Sequence, residues 1–320
     1  MTGASGLLGR TTARALMARG HEVTVLQRRP SGLACTELLG DVADAAVVRR
    51  AVRGQDAVVH LAAKVDVTGR WSEYARANIQ GTGNVVESCR GAVGRLVHVS
   101  SPSVAHAGRP LVGVGAEPAD PAQARGFYAR SKAVAERRAL DADSGDLHVV
   151  VVRPHLVWGP GDTQLVQRIV DRARAGRLPL LGSGAALIDT TYVDNAAGAL
   201  VAALDVAEEA HGQALVVTNG EPRPVAEVLR RLCRAAGAPE PRLRVPAGVA
   251  KAAGSIVDAL WAVTARRDVP PITRFLAEQL STAHWFDQRR TRQLLQWEPA
   301  VSLDSGFARL TAWYAEAAAR

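Results

Sequence analysis

The sequence predicts an α/β protein, a doubly wound parallel sheet followed by a smaller, mostly helical C-terminal lobe. Three observations lead there. Short apolar strands alternate with helical stretches through the first half of the 320 residues, the pattern of a parallel sheet covered on both faces. Glycines cluster at the head of that series, in Thr2-Gly3-Ala4-Ser5-Gly6-Leu7-Leu8-Gly9. Beyond Arg153-Pro154 the alternation gives way to helices separated by Gly- and Pro-rich loops. Residues 1–153 are therefore expected to form the sheet domain. Residues 154–320 are expected to form a substrate lobe, with some strands returning to the sheet.

Taken in order, Gly3, Gly6 and Gly9 let the backbone turn tightly and approach a pyrophosphate, whose charge meets free N–H groups of the helix Leu7–Arg19. Gly3, Ser5, Gly6, Leu7, Leu8 and Gly9 are the expected contacts. A strand at Glu22–Leu26 runs into Gln27-Arg28-Arg29. A carboxylate there would accept from the ribose of NAD, whereas a cation would pair with the 2′-phosphate of NADP. Arg28 and Arg29 favour NADP, with NAD as the alternative. The strand Thr36–Leu39 leads to Asp41-Val42, placed for the adenine edge. Helices are expected near Asp44–Arg53, Trp71–Arg90 and Phe127–Asp141, and strands at Asp56–His60, Arg95–Val99 and His148–Val152. The last carries four consecutive valines, as a strand buried on both faces does.

Tyr128 and Lys132 stand four apart in Gly126-Phe127-Tyr128-Ala129-Arg130-Ser131-Lys132, so on a helix they share a face. A cation beside a phenol favours the phenolate and draws its pKa down from about 10, which suits proton transfer in an alcohol/ketone interconversion.

Past residue 153, helices are expected at Gln164–Ala175, Asp194–Val206, Val225–Ala236 and Ala247–Thr264, with a strand at Ala214–Thr218. Val249, Ala253, Ile256, Val257, Leu260 and Thr264 recur at helical spacing beside Trp261. Such a stripe packs on the protein's own core, covers a lipid-like substrate, or rests on a membrane surface. His155 and Trp158 follow the sixth strand and are placed to line a pocket.

The net charge of +8 does not mark a nucleic-acid binder, because the arginines are scattered among Asp and Glu. Cys35, Cys89 and Cys233 have no metal-ligand spacing, so no metal is expected, and their sparse, odd count fits a reducing cytoplasm. No signal peptide opens the chain, and no uncharged apolar run reaches the length of a membrane span.

Together these motifs resemble the extended branch of the short-chain dehydrogenase/reductase superfamily, with its Rossmann-type fold. The resemblance rests on the glycine turn, on Val59-His60-Leu61-Ala62-Ala63, Asn78-Ile79-Gln80-Gly81-Thr82-Gly83-Asn84 and Tyr128-x-x-Ser131-Lys132, and on Arg153-Pro154 before Gly159-Pro160-Gly161-Asp162. Ser100-Ser101-Pro102-Ser103-Val104-Ala105, Thr191-Tyr192-Val193-Asp194-Asn195 and Pro270-Pro271-Ile272-Thr273 with His284-Trp285-Phe286-Asp287 are most similar to the 3β-hydroxysteroid dehydrogenase-like group. That group includes bacterial long-chain β-keto acid reductases.

The resemblance implies that Tyr128 is the general acid/base, that Lys132 holds the nicotinamide ribose and lowers the Tyr pKa, and that Ser101 bonds the substrate oxygen, with Ser100 as its rival. It implies that Asn78 supports a proton relay behind Lys132. Leu61, Ala62, Ala63, Lys132 and Pro154 would touch the cofactor, and Ser101, Ser103, Tyr128, His155 and Trp158 the substrate. The function expected is NADP-dependent interconversion of a ketone and a secondary alcohol on a hydrophobic substrate, by a homodimer. A sugar-nucleotide epimerase or dehydratase is the second reading. It is weakened because Arg153-Pro154-His155-Leu156-Val157-Trp158 lacks the asparagine such enzymes carry. A non-catalytic dinucleotide sensor is the third, and the Tyr/Lys pair speaks against it. Relatives also carry a full strand before the glycine turn where this chain has Met1 and Thr2, so further apolar residues are expected upstream.

Overall fold

A computed structural model describes residues 1–66, 69–106, 108–264 and 273–319. The main sheet is parallel throughout. Its order is Thr36–Leu39, Thr24–Gln27, the segment Met1-Thr2, Ala57–His60, Arg95–Val99, His148–Pro154 and Ala214–Val217. Thr2 bridges Leu26 on one side and His60 on the other, so this short segment joins the two halves of the sheet. The chain winds outward in opposite senses from that point, which opens a crevice at the C-terminal ends of the strands. The Met1 amino group donates to the Thr24 carbonyl at 2.7 Å, and burial pushes its pKa down to about 6.

Period-two alternation explains why the central strands are apolar at every position. Val58, Leu96 and Val149 enter the core on one face; Val59, Val97 and Val150 enter the core on the other. Each fully buried side chain of this kind contributes about 1.5–3 kcal/mol. The helices Ala45–Val52, Gly81–Cys89 and Gly126–Leu140 cover the first face, and Leu7–Ala18 packs with Val193–Asp205 over the second.

The stretch expected as one helix, Trp71–Arg90, is three pieces. A π-helix at Ala75–Gln80 separates α-helices at Trp71–Tyr74 and Gly81–Cys89. Its wider turn carries buried Asn78. Insertions of this kind often mark functional positions, and apolar spacing does not reveal them.

In the lobe, the Trp158 ring stacks on Phe307 at 4.6 Å within a core built from helices Val166–Arg174, Val225–Ala235 and Leu303–Ala318. The helices Arg274–Ser281, Arg289–Leu295 and Leu303–Ala318 were not anticipated. A small mixed sheet orders Arg223–Pro224, Leu187–Ile188, His284–Phe286 and Leu111–Val114, tying the lobe to a loop of the sheet domain. Among the described residues no helix is long and apolar enough to cross a membrane.

Candidate active site

A cleft of about 920 Å³ lies between the C-terminal edge of the sheet and the lobe. At one end the glycine turn forms its floor. Gly3 has φ +79°, and a Cβ there would stand 2.8 Å from the Ala62 nitrogen; a Cβ on Gly9 would stand 2.1 Å from the Gly3 carbonyl oxygen. A Cβ on Gly6 would meet only the Gly3 oxygen, at 3.8 Å, and so would take up open cleft space. The helix Leu7–Ala18 begins at Gly6 without a side-chain cap, which leaves its first N–H groups available to an anion. Ser5, Leu7, Leu8, Asp41, Val42, Leu61, Ala62, Ala63 and Pro154 line the same cleft. This cradle fits the pyrophosphate and adenosine of a nicotinamide dinucleotide.

Of the two arginines, only Arg28 lines the cleft. Arg29 is exposed and lies off it. Nearby Glu37 is committed elsewhere: its Oε1 accepts from Gln27 and from the Ser31 N–H and hydroxyl, at 2.8 and 2.7 Å. Asp41 is likewise engaged, by Arg76 at 3.0 Å and the Ala43 N–H at 2.9 Å.

Farther along, Tyr128, Lys132, Ser101 and Ser103 converge on the cleft. Tyr128 and Lys132 share a face of Gly126–Leu140, as the spacing predicts. Ser101 lies beside the phenol, where its hydroxyl favours the phenolate. The Ser101 Oγ accepts from the Ser103 hydroxyl at 3.0 Å and N–H at 3.3 Å, so its own proton is left for the phenol or a substrate oxygen. Ser100 is the less apt of the pair, because its Oγ is buried with no partner among the described residues.

The expected electrostatics need correction. Burial pushes the Tyr128 phenol above its ordinary value, and the Ser101 hydroxyl only partly offsets this. Lys132 does not draw the phenol down, because its Nζ donates to the Val99 carbonyl and stands 3.5 Å from the His98 Nε2. Burial pushes the ammonium itself down to about 8, against the attraction of Glu136. Asn78 lies behind the cleft wall and does not bond Lys132 directly. Its Oδ1 accepts from the Lys64 N–H at 2.6 Å, and its Nδ2 donates to Lys64 O at 3.1 Å and Ser131 Oγ at 2.8 Å. It ties the Lys64 backbone to Ser131, the residue before Lys132.

One turn beyond Lys132, buried Glu136 receives both Nε (2.9 Å to Oε2) and Nη2 of buried Arg153, whose Nη1 donates to Glu117 O at 2.7 Å. This fork fixes the catalytic helix to the strand that ends in Pro154.

At the far end, His155 lines the cleft, and its Nδ1 donates to the Asp189 carbonyl at 2.6 Å. That bond sets the tautomer and leaves Nε2 as an acceptor. Trp158 backs the wall as a core anchor; it is wholly buried and its Nε1 donates to Thr190 Oγ1 at 2.9 Å. The apolar wall itself escaped the sequence reading. It consists of Leu165, Ile169, Val228, Leu229, Leu232 and Leu280. The Val228, Leu229 and Leu232 spacing is the signal that marked it, but a helix face that meets a pocket looks like one that meets the core. The stripe on helix Ala247–Thr264 left core packing, substrate cover and membrane contact all open, and none of its described side chains lines the cleft: Val249 is 58% and Ile256 63% exposed. The side chains of Leu260 and Thr264, and residues 270–272 of the Pro270-Pro271-Ile272 motif, lie outside the described residues.

The comparisons with known proteins agree with this geometry. Residues 1–218 match the model of the NAD dependent epimerase/dehydratase family. The chain is 41% identical, over 98% of both lengths, to the 2-alkyl-3-oxoalkanoate reductase of Stenotrophomonas maltophilia (strain K279a). It is 28% identical to the 3-beta-hydroxysteroid dehydrogenase of Mycolicibacterium neoaurum, over 99% of this chain and 91% of that protein. Among solved structures, MoeE5 in complex with UDP-glucose and NAD superposes with a TM-score of 0.75 at 25% identity, over 99% of this chain and 98% of the other. A family match across two thirds of the sequence and a full-length reductase relative leave one assignment: the chain belongs to the NAD-dependent epimerase/dehydratase family of extended short-chain dehydrogenases/reductases and is an NAD(P)-dependent oxidoreductase.

Proposed function

We propose that this enzyme uses NADPH to reduce the ketone of a long-chain 2-alkyl-3-oxo acid. The observation that carries this reading is the junction of two surfaces in one cleft. The Tyr128–Ser101 pair opens directly onto a chamber walled by aliphatic side chains, among them Ile169, Val228, Leu229 and Leu232. A sugar nucleotide would place hydroxyls against that aliphatic wall, where they would lose their partners. The full-length likeness to a reductase of this class supports the same choice.

A bound nicotinamide supplies the hydride. The chain supplies the proton and its control. Tyr128, kept protonated through the neutral range by burial, donates to the ketone oxygen, and Ser101 stabilises the charge that develops there. Lys132, pushed down to about 8 with its ammonium held at the Val99 carbonyl, would hold the nicotinamide ribose and meet the phenol only through it.

NADPH consumption with a series of 2-alkyl-3-oxoalkanoates, steroid ketones and UDP-glucose tests the reading. Turnover should be confined to the long-chain keto acids; conversion of UDP-glucose with no reduction of keto acids would reverse it. Arg28 carries the cofactor choice. Arg28→Ala should reduce the preference for NADPH over NADH by about tenfold or more, the worth of one charge-assisted phosphate contact. An unchanged ratio would remove Arg28 from that role.

A further inference from the structure

One buried charge takes part in no catalytic step. Glu278 lies on the lobe helix Arg274–Ser281 and is 3% exposed. Its Oε1 accepts from Arg125 Nη1 at 2.6 Å and from Arg274 Nε at 3.0 Å. Arg125 is the N-cap residue of Gly126–Leu140, three residues before Tyr128. Its guanidinium also fills the space beside Gly108, where a Cβ would stand 2.3 Å from Arg125 Cζ. One arginine thus touches three elements: the loop that follows Ser101 and Ser103, the helix that carries the proton donor, and the helix whose Leu276, Gln279 and Leu280 wall the far end of the cleft.

We propose that the Glu278–Arg125 ion pair is a positioning device for chain-length selectivity, holding the lobe helix against the start of the Tyr128 helix so that the apolar chamber keeps the width a long aliphatic chain needs. This rests on the hydrophobic-substrate reading above. An ion pair with one buried partner adds little net stability over a well-packed apolar contact, but it fixes an orientation that apolar contacts leave loose. The pair touches neither the reacting centre nor the nucleotide cradle. Its loss is therefore felt in how the chain of the substrate is held, and little in the chemistry.

The test compares Glu278→Gln, Arg125→Gln and the double variant in the full-length enzyme, with short and long 2-alkyl-3-oxo acids. Each single variant should raise KM for the long substrate by about tenfold, with kcat within about threefold and KM for the short substrate unchanged. The double variant should be no worse than either single one, as expected for residues that act as a unit. Arg125→Lys, which keeps a cation facing Glu278, should restore most of the long-chain affinity. Binding of a dansylated long-chain fatty acid, read without turnover, should weaken in parallel.

Equal KM shifts for short and long substrates, a fall in kcat at constant KM, or additive effects would each overturn the proposal. Should Glu278→Gln fail to fold, the half-exposed Arg125 variants carry the comparison alone. If the wild type reduces no keto acid, the substrate reading fails, while fatty-acid binding still decides whether the pair shapes the chamber.

Discussion

Tyr128→Phe lowers kcat for ketone reduction by about 10²–10⁴-fold, the share that a positioned general acid supplies, while NADPH affinity stays within about twofold. The ring remains and packs as before, so the substitution removes only the proton and the oxygen that Ser101 engages. The pH dependence separates this from a binding defect. Because burial raises the phenol, the protonated form persists across the neutral range, and reduction is not limited by deprotonation of Tyr128 there. Oxidation of the alcohol in reverse requires the phenolate and climbs with pH into the alkaline range. Lys132, at about 8, adds an inflection near that value. Steady-state rates in both directions from pH 6 to 10, beside cofactor titration of the variant, check this. Undiminished turnover in Tyr128→Phe would assign the proton to another group.

Much of this architecture could be read from the residues alone, and the failures share a cause. Strands such as Thr36–Leu39 and Arg95–Val99 stand where the apolar runs and their flanking turns place them. The glycine turn, the Ser101–Tyr128–Lys132 set and Arg28 meet in one cleft because each is fixed by local sequence at the end of a strand or the start of a helix. What escaped is set by contacts between distant residues. The π-helix at Ala75–Gln80 shifts the helical register, and nothing in the apolar spacing records that shift. The sign of the Tyr128 shift depends on where the Lys132 ammonium points, and that is decided by the Val99 carbonyl 33 residues away. The stripe on Ala247–Thr264 is the more conspicuous and left core packing and substrate cover both open, while Val225–Ala235 and Arg274–Ser281 supply apolar residues that face the cleft. Arg125–Glu278 joins residues 153 positions apart and has no signature in either segment.

Buried histidines make the fold acid-labile well above the usual carboxylate range. His60 is buried between Thr2 Oγ1 at 2.7 Å and Thr82 Oγ1 at 3.0 Å, and burial pushes it down to about 3. Burial likewise holds His155 at about 4, His284 at about 3 and His98 well below its ordinary value. Each folded value lies below the unfolded one of about 6.5, so the unfolded chain takes up protons first as pH falls. Their stabilisation is complete above about pH 6.5 and drains away from there toward pH 4. Asp189 works in the other direction: burial raises it to about 6, so the folded chain gains one proton over the same interval. Lys132 adds no slope here, because its stabilisation is already lost between the unfolded value of about 10.5 and its folded value of about 8. The net uptake of about three protons on unfolding costs about 4 kcal/mol for each pH unit below 6. A fold of about 5–15 kcal/mol is exhausted within a few units at that rate, so Tm should fall steeply between pH 6.5 and 5. His60→Gln should flatten the slope by one proton even if it lowers Tm at pH 8. Thermal melts that stay level from pH 7 to 5 would mean that these rings already carry protons or reach solvent. Two of them, His155 and His284, wall the substrate chamber, so burial keeps these rings neutral where the aliphatic chain is held.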